Sequence, residues 1–233
     1  VDLVPRRPDR PGIPVELRGA IPTSAGNGTA GFLGDGGAAT SARLNAPRGM
    51  AVAPSGDLFV ADTGNSRIRR ITPAGVISTF AGGPAASACS YTGPVSGLGL
   101  NQPYDVAVDG AGNVIIADTL ANCVRKVDTA GNVTRIAGGG ATTTCNASGP
   151  ATAVSLSAPR GVAVDASGTV YIADSSRNCV RKVVGATFSH VLGGGATTTC
   201  NATGSATAAS LSAPNDVAVD GAGTVYVADT GRN

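Results

Sequence analysis

The hydrophobic positions of this chain fall into short alternating runs, and the runs recur at a fixed interval. Four segments align as APRGMAVAPSGDLFVAD, QPYDVAVDGAGNVIIAD, APRGVAVDASGTVYIAD and APNDVAVDGAGTVYVAD, beginning at residues 46, 102, 158 and 213. Their prolines are spaced by 56, 56 and 55 residues. Self-similarity at such a period predicts an array of equal structural units.

Each aligned segment predicts two short strands joined by a tight turn. The runs of the VAVD and VYIAD type are rich in β-branched residues, and a glycine lies between them in a D-x-x-G setting in the last three segments. A left-handed glycine between two such runs is typical of a hairpin. Two more strands follow in the first three units. We predict them over Arg67–Ile71, Cys123–Val127 and Cys179–Val183, and then over Val76–Gly82, Val133–Gly138 and Phe188–Gly193.

A four-stranded antiparallel unit cannot bury both of its faces alone, but units stacked radially can. That arrangement is the β-propeller. We therefore predict an all-β propeller of four-stranded blades, with about four blades present. Membership of a larger propeller stays open. A parallel β-helix would need a much shorter period than 56 residues.

The repeated residues resemble the NHL-repeat family. The shared pattern is P-x-G-[VM]-A-V, then G-x-[LV]-[FY]-[VI]-A-D-[TS], then [IV]-R-[RK]-[IV] and AGG, and it is clearest over Ala46–Gly82. The resemblance covers roughly residues 20 to 233, and Gly34–Leu44 is similar to the linker before the first blade in bacterial members. It implies a propeller, usually of about six blades, that binds partners or, in some branches, catalyses reactions.

The domain organisation follows from the register of the repeat. Residues 1–12 hold three prolines and predict an extended segment, and residues 13–233 predict the propeller, with the last blade incomplete at the C-terminus. Ile21–Gly26 resembles Ile77–Gly82, and Val15–Arg18 could form the strand before it. Either the N-terminal strands complete the last blade, or the chain belongs to a longer propeller.

Composition excludes several classes of partner. Charged residues are 14% of the chain and the net charge is +2, so no strong field attracts nucleic acid or anionic lipid. Aromatic residues are 3%, with no Trp, which leaves little for stacking on bases. No apolar run of about 18 residues occurs. We predict neither a nucleic-acid partner nor a membrane span.

The five cysteines follow the repeat. Cys89 precedes Cys123 by 34 residues, Cys145 precedes Cys179 by the same distance, and the corresponding partner of Cys200 would stand at position 234. The first blade lacks both members. We predict the disulfides Cys89–Cys123 and Cys145–Cys179, with Cys200 unpaired, and a free Cys89 would contradict this register. The second-ranked pairing, Cys123–Cys145 with Cys179–Cys200, leaves Cys89 alone.

Disulfides predict an oxidising compartment, which means a secreted, periplasmic or cell-surface protein. A zinc site would need close cysteine pairs or flanking histidines, and the sequence has neither. The family's amidating lyases rely on metal-bound histidines, whereas His190 is the single histidine here. His190 aligns with Thr79 and Arg135, and we interpret it as an exposed edge residue. We predict no catalytic set, no metal and no cofactor.

The two positions that follow the repeated proline vary between the four aligned segments, while the residues on either side of them are nearly constant. At these positions, which form the variable column, the first strand begins, near the mouth of the predicted channel. Variation on a fixed scaffold is how propellers present binding surfaces. Arginine forks could grip carboxylate or phosphate, and the aspartates could hold hydroxyls or a divalent ion. Local loop hydrogen bonding is the alternative role. The predicted mouth residues are Arg48, Tyr104, Asp105, Arg160, Asn215 and Asp216.

Three other recurring sets have structural interpretations. Aspartates at the end of the second strand should bond loop amides, and aspartates at the hairpins should cap turns. Arg/Lys pairs in the third strand recur once per blade and should spread around the rim. These sets are Asp62, Asp118, Asp174 and Asp229; Asp109, Asp165 and Asp220; and Arg69-Arg70, Arg125-Lys126 and Arg181-Lys182. The sequons at Asn146 and Asn201 matter only in a glycosylating host.

These observations favour a non-enzymatic, extracytoplasmic propeller for binding or assembly, with protein or glycan partners and self-assembly included. One alternative is a lactonase-like hydrolase with a metal at the channel mouth, held by Asp105 and Asp216. A second alternative is an extracellular sensor domain of a longer protein.

Overall fold

The structure is a computed structural model that describes residues 23–83, 85–145, 148–194 and 206–231. Regular structure in these residues consists of β-strands and short 3₁₀ turns. The strands are Pro47–Val52 (β1), Leu58–Asp62 (β2), Arg67–Ile71 (β3), Ile77–Ala81 (β4), Gly93–Pro94 (β5), Asp105–Val108 (β6), Val114–Asp118 (β7), Cys123–Val127 (β8), Asn132–Gly138 (β9), Gly149–Pro150 (β10), Pro159–Val164 (β11), Val170–Asp174 (β12), Cys179–Val184 (β13), Thr187–Gly193 (β14), Pro214–Val219 (β15) and Val225–Asp229 (β16).

The strands form four antiparallel sheets in chain order, which we call blades 1 to 4. Their strand orders are β1-β2-β3-β4, β5-β9-β8-β7-β6, β10-β14-β13-β12-β11 and β15-β16. The predicted all-β propeller architecture is confirmed, and the predicted strands agree with the observed ones to within one residue at each end. The two-residue strands β5 and β10, which extend blades 2 and 3 at their outer edge, were not predicted.

Short 3₁₀ turns connect the strands. Three of them directly follow the second strand of a blade, and each of these ends on a left-handed residue. The others lie in the segments that lead into each blade. The turns are Ala39–Ser41, Thr63–Asn65, Val95–Gly97, Thr119–Ala121, Ala151–Ala153, Ser175–Arg177 and Ala206–Ala208.

The hydrophobic core lies between the blades rather than within one sheet. Phe59 and Ile68 of blade 1 share a buried cluster with Val106, Val114 and Ile116 of blade 2. Equivalent clusters join blades 2 and 3, and blades 3 and 4. The first strands β1, β6, β11 and β15 pack side by side in sequence. This packing places the start of each first strand at the centre of the array.

The two end blades are covered differently from the middle ones. Met50 in β1 is 69% exposed, while Val106 at the same repeat position is 2% exposed. Tyr226 in β16 is 57% exposed, while its counterpart Tyr171 is 8% exposed. Ala39 and Ala42, from the linker before blade 1, pack on the outer part of that blade's free face.

The predicted N-terminal strand over Ile21–Gly26 is not formed by its described residues, 23–26. Gly26 has φ +90 and donates its N–H to the Ala39 carbonyl at 2.9 Å, so this stretch packs against the linker instead. Residues 1–12, the possible strand Val15–Arg18, Asn146, Asn201 and Cys200 lie outside the described residues.

Candidate functional site

A side-chain hydrogen bond, which we call the hydroxyl–proline tie, fixes where the first strand begins in blades 2, 3 and 4. The hydroxyl after the A-D pair of one blade donates to the carbonyl of the repeated proline of the next blade. The three ties are Thr63 Oγ1 to Pro103 O at 2.7 Å, Thr119 Oγ1 to Pro159 O at 2.7 Å and Ser175 Oγ to Pro214 O at 2.6 Å. The sequence carries this signal as A-D-[TS], although its role became clear only in three dimensions.

The residue before each repeated proline has an unusual backbone. Ala46, Gln102, Ala158 and Ala213 have φ between 46 and 50. Left-handed conformations are unfavourable for residues with a Cβ, and the residue before proline normally adopts extended angles. Such strain persists only where the surroundings hold it, and it concentrates at functional sites.

Three of the four strained residues are held by side chains from the preceding blade. Asn122 Oδ1 accepts from the Ala158 N–H at 2.8 Å, and Asn178 Oδ1 accepts from the Ala213 N–H at 2.8 Å. In blade 1 the equivalent acceptor is Ser66 Oγ, and its bond to the Gln102 N–H is longer, at 3.3 Å. The start of the first strand is therefore fixed on both sides of the proline.

The six predicted mouth residues converge on one cleft of about 340 Å³, which Pro47 and Gly49 also line. Tyr104 lies at its centre. The guanidinium carbon of Arg48 is 4.2 Å from the Tyr104 ring centroid, and that of Arg160 is 5.2 Å from it. Arg160 Nη1 also donates to Asn215 Oδ1 at 3.1 Å. Two guanidinium groups from blades 1 and 3 thus meet on one ring of blade 2.

Asp105 has a different role from the arginines. Its two carboxylate oxygens accept backbone N–H bonds, from Val106 at 2.8 Å and from Val162 at 2.9 Å. The pKa of the Asp105 carboxyl is raised to about 7, mainly by burial and also by the nearby Asp216 charge, while the two backbone hydrogen bonds act in the opposite direction. Asp105 therefore links blade 2 to blade 3 and titrates near neutral pH.

The residue pairs in the variable column alternate for a steric reason. A Cβ at Gly49 would collide with the Asp105 carboxylate, and a Cβ at Gly161 would lie 2.6 Å from Asp216 Cα. The Arg-Gly pairs of blades 1 and 3 consequently accommodate the aspartates of blades 2 and 4. The mouth therefore has a two-blade period, which the aligned segments show as Arg-Gly in blades 1 and 3 and as Tyr-Asp or Asn-Asp in blades 2 and 4.

The aspartates at the end of the second strand bond loop amides, as predicted. Asp62, Asp118 and Asp174 each accept a backbone N–H at 2.7 Å, from Asn45, Asn101 and Ser157. Asp229 does the same with Ser212. The hairpin aspartates cap their turns, since Asp109 Oδ1 accepts from the N–H groups of Ala111 and Asn113 at 3.0 and 2.9 Å. Asp165 and Asp220 repeat this pattern.

The interpretation of the Arg/Lys pairs as rim residues is wrong for their first members. Arg69, Arg125 and Arg181 are fully buried. Each pairs with the second-strand aspartate of its own blade, at 3.3 Å to Asp62, 2.7 Å to Asp118 and 2.9 Å to Asp174. Burial follows because an aspartate at the end of β2, β7 or β12 compensates the charge. The second members, such as Arg70, are at least partly exposed.

The cysteines confirm one predicted disulfide and correct the other. Cys145 and Cys179 are bonded, with Cα atoms 6.3 Å apart. Cys89 and Cys123 are free thiols, so the predicted Cys89–Cys123 bond is wrong, and the free Cys89 contradicts the register on which the pairing was based. The pKa of the Cys89 thiol is lowered to about 7: the hydrogen bond with Cys123 contributes most, burial opposes it, and Arg135 adds to the lowering. The hydrogen bond with Cys89, together with burial, raises the pKa of Cys123.

His190 is not the exposed edge residue that was expected. It lies opposite Arg181 in the β13–β14 pairing, just as Thr79 opposes Arg69 and Arg135 opposes Arg125, so its predicted alignment holds. The side chain is partly buried, and its Nε2 has no hydrogen-bond partner in the structure. The two-residue strand β10 pairs with the start of this strand, at Thr187 and Phe188.

A second cleft, of about 390 Å³, lies between blades 1 and 2 at the hairpin end of the strands, opposite the mouth. Phe59 and Phe80 line it, and its Arg70 is paired with Asp57 at 2.8 Å. Among the described residues, no group of three His, Cys, Asp or Glu side chains could hold a metal. No helix in the described part of the chain is long and apolar enough to cross a membrane.

Family models match two parts of the chain: the teneurin NHL domain over residues 27–94 and the NHL repeat over residues 156–183. Teneurin-1 of Caenorhabditis elegans is 29% identical over 94% of this chain and 9% of its own length, and Teneurin-1 of Mus musculus is 30% identical over 85% and 8%. The chain therefore spans less than a tenth of the length of these relatives.

Solved structures share the fold. A structural genomics protein of unknown function from Bacteroides thetaiotaomicron VPI-5482 matches with TM-score 0.60 and 20% identity, over 78% of this chain and 44% of that one. A streptogramin B lyase matches with TM-score 0.53 and 14% identity, over 85% and 50%. A chain of the nidogen–laminin complex matches with TM-score 0.53 and 16% identity, over 78% and 56%. The fourfold repeat and the two family-model matches identify NHL repeats in this chain, and the solved structures show that its fold is a β-propeller.

Proposed function

We propose that this chain is a non-enzymatic, extracytoplasmic propeller module that binds a protein partner at the mouth cleft. The observation that carries the proposal is the convergence of Arg48, Tyr104, Asp105, Arg160, Asn215 and Asp216 on one cleft. These are the side chains that vary between otherwise repeated blades. Rigid strands, the hydroxyl–proline ties and the strained residues before the prolines hold them in place.

Two further observations support the proposal. The sequence relatives are teneurins, and one fold neighbour is a chain of a complex between two proteins, nidogen and laminin. The Cys145–Cys179 disulfide favours a secreted, periplasmic or cell-surface location, because such bonds persist in oxidising compartments. Glycan binding and self-assembly use the same kind of surface and are separate outcomes of the test below.

The test is a binding screen of the purified chain against a panel of extracellular protein domains and a glycan array. We expect saturable binding to a protein, lost when Tyr104 and Asn215 are both replaced by serine. The matched control is Tyr226→Ser, which changes an exposed tyrosine away from the mouth. Binding that survives the mouth variant, or that occurs on the glycan array alone, would contradict the proposal.

A second candidate function is hydrolysis with a metal at the mouth. The pKa of Asp105 is raised to about 7 beside Asp216, and the fold neighbours include an enzyme, the streptogramin B lyase. A lactone-hydrolysis assay with added Ca²⁺ or Zn²⁺ tests this candidate. Turnover that disappears in the Asp105→Asn, Asp216→Asn double variant would establish it in place of the binding role.

A further inference from the structure

We propose that Arg48 and Arg160 together bind a carboxylate group presented by a protein partner, beside the Tyr104 ring that both guanidinium groups contact. This inference rests on the proposed function and names the chemistry that its mouth recognises.

Two like charges converge on one ring without a neutralising partner. Arg48 makes no ion pair with any described residue, and its guanidinium lies 4.2 Å from the Tyr104 centroid. Arg160 bonds only the neutral amide of Asn215 through Nη1, and its Nε is buried without a hydrogen-bond partner in the structure. Fixed guanidinium groups that lack a counter-charge form a ready site for an anion.

The aspartates of the cleft do not pair directly with the two arginines. The Asp105 oxygens accept the N–H groups of Val106 and Val162, and Asp216 Oδ1 accepts from the Val217 N–H at 2.8 Å. No ion pair joins either aspartate to Arg48 or Arg160 within the described residues. Apart from the Arg160 Nη1 bond to Asn215, the N–H groups of the two guanidinium forks are therefore available to a ligand.

The geometry favours a protein carboxylate over an acidic sugar. A cleft of about 340 Å³ accommodates a side chain or a chain terminus. Sugar recognition would use the free face of an aromatic ring, whereas Arg48 and Arg160 both lie over the ring of Tyr104. A carboxylate can accept two parallel N–H bonds from a guanidinium fork, and both arginines can present such a fork.

The experiment is an NMR titration of the isotopically labelled full chain, followed through the arginine Nε–H and the Gly49 and Gly161 amide signals. Four probes are used. Two are the C-terminally amidated peptides Gly-Glu-Glu-Gly and Gly-Gln-Gln-Gly, the third is Gly-Gln-Gln-Gly with a free C-terminal carboxylate, and the fourth is a glucuronic acid oligosaccharide. We expect the glutamate peptide to bind at least about tenfold more tightly than the amidated glutamine peptide, and more weakly as salt rises. The free-terminus peptide distinguishes a side-chain carboxylate from a terminal one.

Arg48→Gln and Arg160→Gln should each weaken binding of the glutamate peptide about tenfold. Arg48→Lys should recover only part of the loss, because it keeps the charge but not the fork. Arg70→Gln, at the opposite end of the strands, is the matched control and should bind normally. Equal binding of the glutamate and glutamine peptides, an equal loss in Arg70→Gln, or binding of the oligosaccharide alone would overturn the inference.

Failure of this inference is distinguishable from failure of the proposed function. The Arg48→Gln and Arg160→Gln variants are tested against the protein found in the screen of extracellular domains. If both bind it with unchanged affinity, the carboxylate site is wrong and the binding function stands. If the chain binds the glutamate peptide through both arginines but no extracellular protein, the site stands and the proposed partner class is wrong. Arg48 is exposed, so its replacement should not unfold the blade, which a thermal melt checks.

Discussion

Asp118 and Arg125 form a fully buried ion pair, with Asp118 Oδ2 2.7 Å from Arg125 Nε. The other Asp118 oxygen holds the Asn101 N–H at the start of the same blade. The Asp118 carboxylate thus connects three parts of blade 2: the segment that leads into its first long strand, its second strand and its third strand. Blades 1 and 3 repeat the arrangement with Asp62 and Asp174.

Replacing Arg125 with alanine should destabilise the chain by about 3–5 kcal/mol, because it leaves the Asp118 charge buried without a partner. Lys126→Ala is the matched control, since this neighbouring lysine is partly exposed and reaches Asp109 only at 3.6 Å. The control should cost no more than about 0.5 kcal/mol. Urea unfolding measures both variants, and similar losses in the two would contradict the assigned role of Arg125.

The blades and the mouth were predictable because both depend on register alone. Strand bounds such as Arg67–Ile71 follow from alternation, and the variable column follows from alignment with the proline. The burial of Arg125 was not predictable in this way, because the sequence places it beside Lys126 in an apparently basic pair. Its partner lies seven residues earlier, across the β7–β8 pairing, and only three-dimensional packing shows that the two charges meet.

Ser66→Asn should stabilise the chain by about 0.5–1 kcal/mol. Ser66 has φ 53, a left-handed conformation that asparagine tolerates better than serine. The longer side chain should also shorten the 3.3 Å bond to the Gln102 N–H toward the 2.8 Å seen where Asn122 has this role.

The reverse change, Asn122→Ser, is the control for Ser66→Asn and should destabilise the chain by a similar amount. Thermal melts under identical buffer conditions compare the two variants. Stabilisation by both changes, or by neither, would show that the side-chain acceptor does not control the strained residue before the proline.

Cys145→Ser should lower the free energy of unfolding by about 3–4 kcal/mol, because the Cys145–Cys179 bond closes a loop of 34 residues in the unfolded chain. Cys89→Ser removes a thiol that hydrogen-bonds Cys123 and Arg135 but closes no loop in this structure, so its cost should stay below about 1 kcal/mol. Equal losses in denaturant melts of the oxidised protein would mean that Cys89 and Cys123 are also joined.

Spacing predicted which cysteines meet but not which ones bond. Both pairs are 34 residues apart, and both pairs are in contact. The difference lies in the fourth strand, where Arg135 of blade 2 hydrogen-bonds the Cys89 sulfur and the equivalent residue of blade 3 is His190. A guanidinium beside one sulfur favours the thiolate, and the cysteine spacing does not encode that interaction.

Cys89 should react with iodoacetamide faster than Cys123, and its rate should fall as the pH drops below about 7. The thiolate is the nucleophile, and the pKa of Cys89 is lowered to about 7 while that of the buried Cys123 is raised. Peptide mass spectrometry after timed alkylation at pH 6 and pH 8 separates the two sites. Arg135→Gln should slow the reaction of Cys89 at pH 7, and an unchanged rate would show that the arginine does not stabilise the thiolate.

Asp105 should make the chain less stable as the pH rises from about 4 to about 7. Its pKa is about 7 in the folded chain and about 3.9 when unfolded, so between these values the folded state holds the extra proton. The free energy of unfolding falls through this window because only the unfolded chain releases the proton there. Asp105→Asn should reduce this slope in urea melts at pH 5 and pH 7.5, and part of it should remain because the pKa of Asp174 is also raised, mainly by burial, to about 6. In Asp165→Asn the slope should persist, because the pKa of Asp165 is lowered and its own titration lies below this window. An equal loss of the pH dependence of the free energy of unfolding in both variants would show that Asp105 is not its source.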